Sequence, residues 1–182
     1  MTRTGLPLFS GITTYRDEVG RFAFRHPSDW EREELADDLE GVIVRPEVDD
    51  QNTYFAVWVA PVETAVVADD LAELRRGFDD GLAKLPGLTI ESTQDDTFGN
   101  IVRLERLLTF TEPAGTRRRK VWGMYVHTWQ VLVSYQGSSV EEYDYWLPMG
   151  NYCFNTFELP EVLWFATDPE LHPPPSTEPT DT

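Results

Sequence analysis

The chain has 182 residues, with 15 basic against 32 acidic side chains for a formal charge of -17, and is 41% hydrophobic and 13% aromatic. That length fits one ordinary domain, and the apolar content can build a core despite the charge. So acidic a surface repels nucleic-acid phosphates and anionic membranes, which leaves neutral or cationic partners.

Residues 1–13 read as an arm whose apolar features are Leu6, Leu8 and Phe9. From Tyr15 to Trp30 the pattern predicts a strand, a turn at Glu18 to Gly20, and a second strand with Phe22 and Phe24 on one face, ended by Pro27. The acidic stretch 31–40 is expected to be a helical turn or a solvated loop. Strands follow at 41–46 and 52–62. In the second, Tyr54, Ala56, Trp58 and Ala60 face one way and Phe55, Val57 and Val59 the other. Such a strand is central and covered twice, or lies in a curved sheet with a helix on one face and a loop on the other.

Leu71, Leu74, Phe78, Leu82 and Leu85 recur at spacings of three and four, which predicts an amphipathic helix capped by Asp69 or Asp70 and stopped by Pro86-Gly87. Further strands are predicted at 88–93, 101–112 and 117–137. The last exceeds ordinary strand length and is split near His127-Thr128 into a hairpin. Residues 94–100 and 112–115 are expected to turn. Ser138 and Ser139, three residues ahead of Glu141 and Glu142, form overlapping capping boxes. Pro148 and Gly150 are expected to divide the helix that follows into two. From Asp168 onward the chain is acidic and proline-rich, without lysine or arginine, as in a solvated tail.

The order strands, helix, strands, helix implies an α+β domain, a central antiparallel sheet flanked by helices. The expected organisation is an arm at 1–13, one domain at 14–160, and at 161–182 an apolar docking segment followed by the tail.

Little here advertises chemistry. No Walker lysine loop, Gly-x-Ser-x-Gly elbow, His-Glu-x-x-His helix or dinucleotide fingerprint is present. His26, His127 and His172 are scattered, and the paired aspartates fall in turns or at helix starts, where they cap backbone donors. No catalytic, metal or cofactor residue is assigned. Cys153, the single cysteine, reads as a buried free thiol and excludes an intrachain disulfide. The basic run Arg117 to Lys120 reads as a hairpin edge that blocks sheet extension, with contact to an anionic partner or phosphate as the alternative. No stretch approaches the roughly 18 apolar residues of a spanning helix, and no secretory apolar run opens the chain, so a cytoplasmic location without membrane insertion is expected.

Aromatic residues are the functional signal. Trp58, Trp122, Tyr125 and Trp129 on the strands, with Trp164 and Phe165 ahead of the tail, are the candidate partner-binding residues. Rings of this size fill a core, or line a groove for an apolar peptide or small ligand.

Tyr15, Gly20, Phe22, Phe24, Pro27 and Trp30, together with the closing Asn155-Thr156-Phe157, resemble the opening hairpin and end signature of the PsbP/Mog1/DcrB-like superfamily over about residues 14–159. The resemblance implies a central antiparallel sheet sandwiched by helices and used chiefly for binding. Members include photosystem II accessory proteins, a cofactor of a Ran-type GTPase and chaperones of secreted toxins, and no shared catalytic motif carries over. The chain is therefore expected to be a non-enzymatic protein-binding or chaperone-like adaptor with a protein or peptide partner. A small-ligand carrier or enzyme with an unadvertised pocket, and a structural subunit of a larger assembly, are the alternatives. Whether it forms a homo-oligomer is not legible.

Overall fold

The computed structural model describes residues 5–35 and 40–164, apart from the side chains of Val162 and Trp164. The strands are β1 (Ile12–Arg16), β2 (Ala23–Pro27), β3 (Glu31–Glu34), β4 (Glu40–Arg45) and β5 (Tyr54–Pro61), then β6 (Thr89–Phe98), β7 (Ile101–Glu112), β8 (Gly115–Val126) and β9 (Trp129–Gly137). Helix α1 (Leu71–Leu82) separates β5 from β6, and α2 (Val140–Asn155) and the short α3 (Glu161–Trp164) follow β9.

Seven strands form one antiparallel sheet in the order β3-β4-β5-β9-β8-β7-β6, and β1 pairs with β2 in a separate hairpin. This is the expected α+β architecture. The double apolar pattern of β5 has its cause here. Phe55, Val57 and Val59 join Val42, Val44, Val131 and Val133 under α2 and the β1–β2 hairpin. On the other face α1 lays Phe78 against Val102, Leu104, Leu108, Val121 and Tyr125 of β7 and β8, so the second face of β5 is covered only in part, with Ala56 buried and Tyr54 and Trp58 half-buried.

Two glycines let the helices close on the sheet. A Cβ on Gly123 would stand 2.7 Å from the Phe78 ring, and one on Gly137 would stand 2.3 Å from the Tyr143 backbone nitrogen. Tyr135 completes the second contact by donating its hydroxyl to the Tyr143 carbonyl at 2.7 Å.

Four readings of the sequence pattern are overturned. Arg117 to Lys120 lie on β8, paired with β7 on one side and β9 on the other, so they form no edge that blocks sheet extension. Glu31–Glu34 is a strand, because its partner β4 supplies ladder bonds that an isolated acidic segment lacks. Strand β6 runs on through Gln94 to Phe98, where Asp95 is gripped by Arg75 and Arg106 and Asp96 by Arg103. Helix α2 passes through Pro148 unbroken, with Gly150 lying flat against the Tyr135 ring. Proline removes one helical bond, and burial of Tyr143, Trp146, Cys153 and Phe154 offsets that loss. The capping signals divide: Ser139 accepts from the Glu142 amide, whereas Asp70 reaches back to the Val67 amide.

The buried imidazole of His26 faces the Pro27 carbonyl at 2.8 Å and lies beside the Phe24 ring. Burial and, more weakly, Arg32 hold its pKa below the ordinary value, against the pull of that carbonyl. The unfolded chain takes up a proton near pH 6.5 that the folded chain resists, so stability is full above that pH and declines as pH falls toward the lower folded value. Asp17 and Asp50, also depressed, act only at more acidic pH. Urea midpoints are expected to drop between about pH 7.5 and pH 5.5, and His26→Gln to flatten that slope.

Candidate functional site

Alternation along two adjacent strands puts Ile101 and Arg103 of β7 beside Trp122 and Met124 of β8 on the face covered by α2. Beyond that helix the Thr156 hydroxyl accepts from the Arg25 amide, and Glu158 pairs with Ala23, which turns Phe157 and Leu159 back over the sheet. At the far side β6 ends on Phe98, and Gly99 makes the turn into β7 at φ 58°. The result is an apolar cleft of about 510 Å³ lined by Phe98, Ile101, Arg103, Trp122, Met124 and Phe157, with Glu158 at its margin.

Its aromatic walls are held in place. Trp122 packs on Phe154 with ring centroids 4.5 Å apart and donates its indole N–H to Glu105. The Arg103 guanidinium lies 5.1 Å from the Trp122 ring centre and 5.2 Å from that of Phe98, and Asp96 anchors it at 2.6 Å. That bond to Arg103 in turn keeps the Asp96 carboxyl below its usual range. With the Trp122 indole N–H and Arg103 Nη2 committed to carboxylates, the cleft offers chiefly ring faces and a methionine. Phe98 is 55% exposed, a large apolar surface with no covering element among the described residues.

The aromatic residues singled out in the sequence are divided between the two faces of the sheet. Trp122 lines this cleft. Trp129 shares its face but is half-buried beneath Arg21, whose guanidinium lies 5.0 Å from the ring centre and is held by Asp17 and Glu40. Trp58 and Tyr125 lie on the opposite face, beside α1. Phe165 and the Trp164 side chain lie outside the described residues. Phe98, Met124 and Phe157 are not among the partner-binding candidates read from the sequence, although an aromatic next to the Gly99-Asn100 turn is a usable signal for an exposed ring.

The chemistry available is that of apolar contact. Burial pushes the Cys153 thiol well above its ordinary pKa, out of the range of a nucleophile. Among the described residues no group of three or more His, Cys, Asp or Glu side chains is placed to hold a metal. Among the same residues no helix is long and apolar enough to cross a membrane.

No family model and no curated protein matches the sequence. Solved structures match in fold. Cyanobacterial PsbP (CyanoP) of Synechocystis sp. PCC 6803 aligns with a TM-score of 0.57 at 9% identity, over 88% of this chain and 98% of its own. LpqN, involved in cell envelope biogenesis of Mycobacterium tuberculosis, aligns at 0.57 with 12% identity, over 82% and 91%. PA94 of Pseudomonas aeruginosa, a protein of unknown function, aligns at 0.52 with 10% identity, over 84% and 99%. At these identities the likeness is one of fold, and the fold is the PsbP-like one that the opening hairpin and closing segment imply.

Proposed function

We propose that this chain is a non-enzymatic protein-binding adaptor that receives an extended segment of a partner along β6 and takes one of its apolar side chains into the Phe98–Trp122 cleft. The observation that carries this reading is the continuity of the two features: β6 is the last strand of the sheet, and its final residue is a wall of the cleft. An edge strand presents unpaired backbone donors and acceptors at regular spacing, to which an extended peptide adds as a further strand. A bulge between Ile90 and Ser92 protects the start of β6, but Ser92 to Phe98 runs straight, without proline or lysine. Its carboxylates are already engaged by Arg75, Arg103 and Arg106, and among the described residues no strand pairs with its outer side. Main-chain bonds and one buried side chain supply affinity, and the net charge of -17 favours neutral or cationic segments.

A random peptide library displayed against the full chain tests this. The expected binders are extended peptides with one large apolar side chain, weakened by N-methylation of their backbone. Phe98→Ser is expected to weaken them by at least about thirtyfold, the scale of an interface hot spot. Because Phe98 is on the surface, thermal stability stays within about 0.5 kcal/mol. Recovery of no consistent peptide, or of peptides that bind Phe98→Ser equally well, refutes the reading.

A further inference from the structure

On the opposite face of the sheet a second concavity, about 240 Å³, runs between α1 and the aromatic ridge of β5. Trp58 forms one wall, braced edge-on by Tyr54 with ring centroids 6.0 Å apart. Gly77 and Gly81 form the other, one turn apart on α1, and a Cβ built on either meets no atom within 4 Å. Glycine inside a helix is unfavourable relative to alanine, and here no close packing requires it. What the two glycines leave is open space above the sheet.

The floor is polar in one place. Ser134, 2% exposed, lines the trough, and its hydroxyl has no hydrogen-bond partner among the described residues. A buried hydroxyl left unpaired is unfavourable, and a bound molecule that reaches it would remove that penalty. At one end stands Arg119. Its Nε and Nη2 both donate to the Gln136 side-chain oxygen, at 2.9 and 2.5 Å, and its guanidinium stacks 4.8 Å from the Phe110 ring centre. No carboxylate pairs with it among the described residues; the Tyr54 hydroxyl, which also reaches the Gln136 oxygen, is its further polar neighbour. At the other end Gln130 donates to the Tyr125 hydroxyl at 3.0 Å. Gln130 and Ser134 lie four residues apart on β9, roughly 13 Å at strand rise.

The geometry points to a binding site for a small arylalkanoic acid in this trough, its ring between Trp58 and the Gly77–Gly81 face, its carboxylate on Arg119 and the Ser134 hydroxyl. The volume is below that of sites for drug-sized ligands, which limits the body to a single ring or a branched chain. Charge complementarity selects the head group. In a chain of net charge -17, a preoriented arginine without a carboxylate partner is a local attraction for an anion. The site is separate from the Phe98–Trp122 cleft, with the sheet between them, and stands whether or not a partner binds there.

The probes are 3-phenylpropionate and its uncharged amide, titrated into the full chain and followed by backbone amide shifts and calorimetry. Phenylpropionate is expected to shift the Gly77, Gly81 and Ser134 amides in a saturable way and to bind about tenfold tighter than the amide. Arg119→Gln is expected to abolish that preference. Gly81→Leu, which fills the trough, is expected to abolish binding with an equal or higher Tm, and Gly77→Leu serves if it does not fold. Absence of saturable shifts at millimolar probe overturns the assignment, as do shifts confined to the Phe98 cleft. Equal binding of acid and amide, or unchanged binding by the glycine variants, overturns it as well.

Discussion

Gly137→Ala is expected to lower stability by about 3 kcal/mol, the upper part of the range for overpacking, and urea denaturation with an unchanged slope would record it. The new methyl group would stand 2.3, 2.5 and 2.6 Å from the nitrogen, Cα and Cβ of Tyr143. Two of those atoms are helix backbone, so no rotamer change relieves the contact. α2 must lift from the end of β9, and the hydrogen bond from Tyr135 to the Tyr143 carbonyl lengthens with it. Gly150→Ala offers a contrast within the same helix. Its methyl would meet the Tyr135 ring at 2.7 Å, a side chain with some room to shift, so its penalty is expected to be smaller.

Phe154→Ala is expected to remove both stability and binding. The ring is 3% exposed, lies edge-on to Phe55 with centroids 5.2 Å apart, and backs Trp122 at 4.5 Å. Truncating a buried phenylalanine destabilises by about 3–5 kcal/mol, part of which is the cavity left behind. That cavity lies behind Trp122, so the indole loses its support and the cleft its wall. Phe154→Leu retains most of the volume and is expected to recover most of the stability. If the cleft receives a peptide, binding at a temperature where Phe154→Ala is still folded should fall with the loss of Trp122 order. Near-ultraviolet circular dichroism would register that loss independently. An unchanged affinity in the folded variant would mean that the peptide does not use the Trp122 wall.

Much of the scaffold was legible because its signals are local. The alternation around Trp58 and Val57 identifies a strand apolar on both sides, and the Leu71-Leu74-Phe78-Leu82 stripe identifies a helix laid on the sheet, which packs over β7 and β8 rather than over Trp58. The capping box at Ser139 marks the start of the other helix. Where sequence and structure part, long-range partners had acted. Residues 94–98 contain turn-forming types, yet Arg103 and Arg106 of the neighbouring strand hold Asp96 and Asp95 in an extended edge. Pro148 is a helix breaker by type, yet α2 continues because the burial of its flanking rings offsets one missing hydrogen bond.

The candidate sites were less legible. Trp122 was identified and lines the cleft, but Phe98 and Phe157, its neighbours there, are distant in the chain. Trp58 and Tyr125, which belong with Trp122 by composition, belong to the other face of the sheet by strand parity. The trough beside α1 depends on Ser134, Arg119 and two glycines that no motif connects.

The order of residues by itself determined most element types, the α+β pattern, the acidic charge and the abundance of rings, because each follows from spacing within a few residues or from composition. Only the tertiary structure decided which rings share a cavity, which strand lies at the margin of the sheet and, among the described residues, which polar groups lack a partner. Those outcomes depend on strand order and on contacts between segments such as Trp122 with Phe154 and Phe78 with Gly123, whose juxtaposition no local interaction encodes.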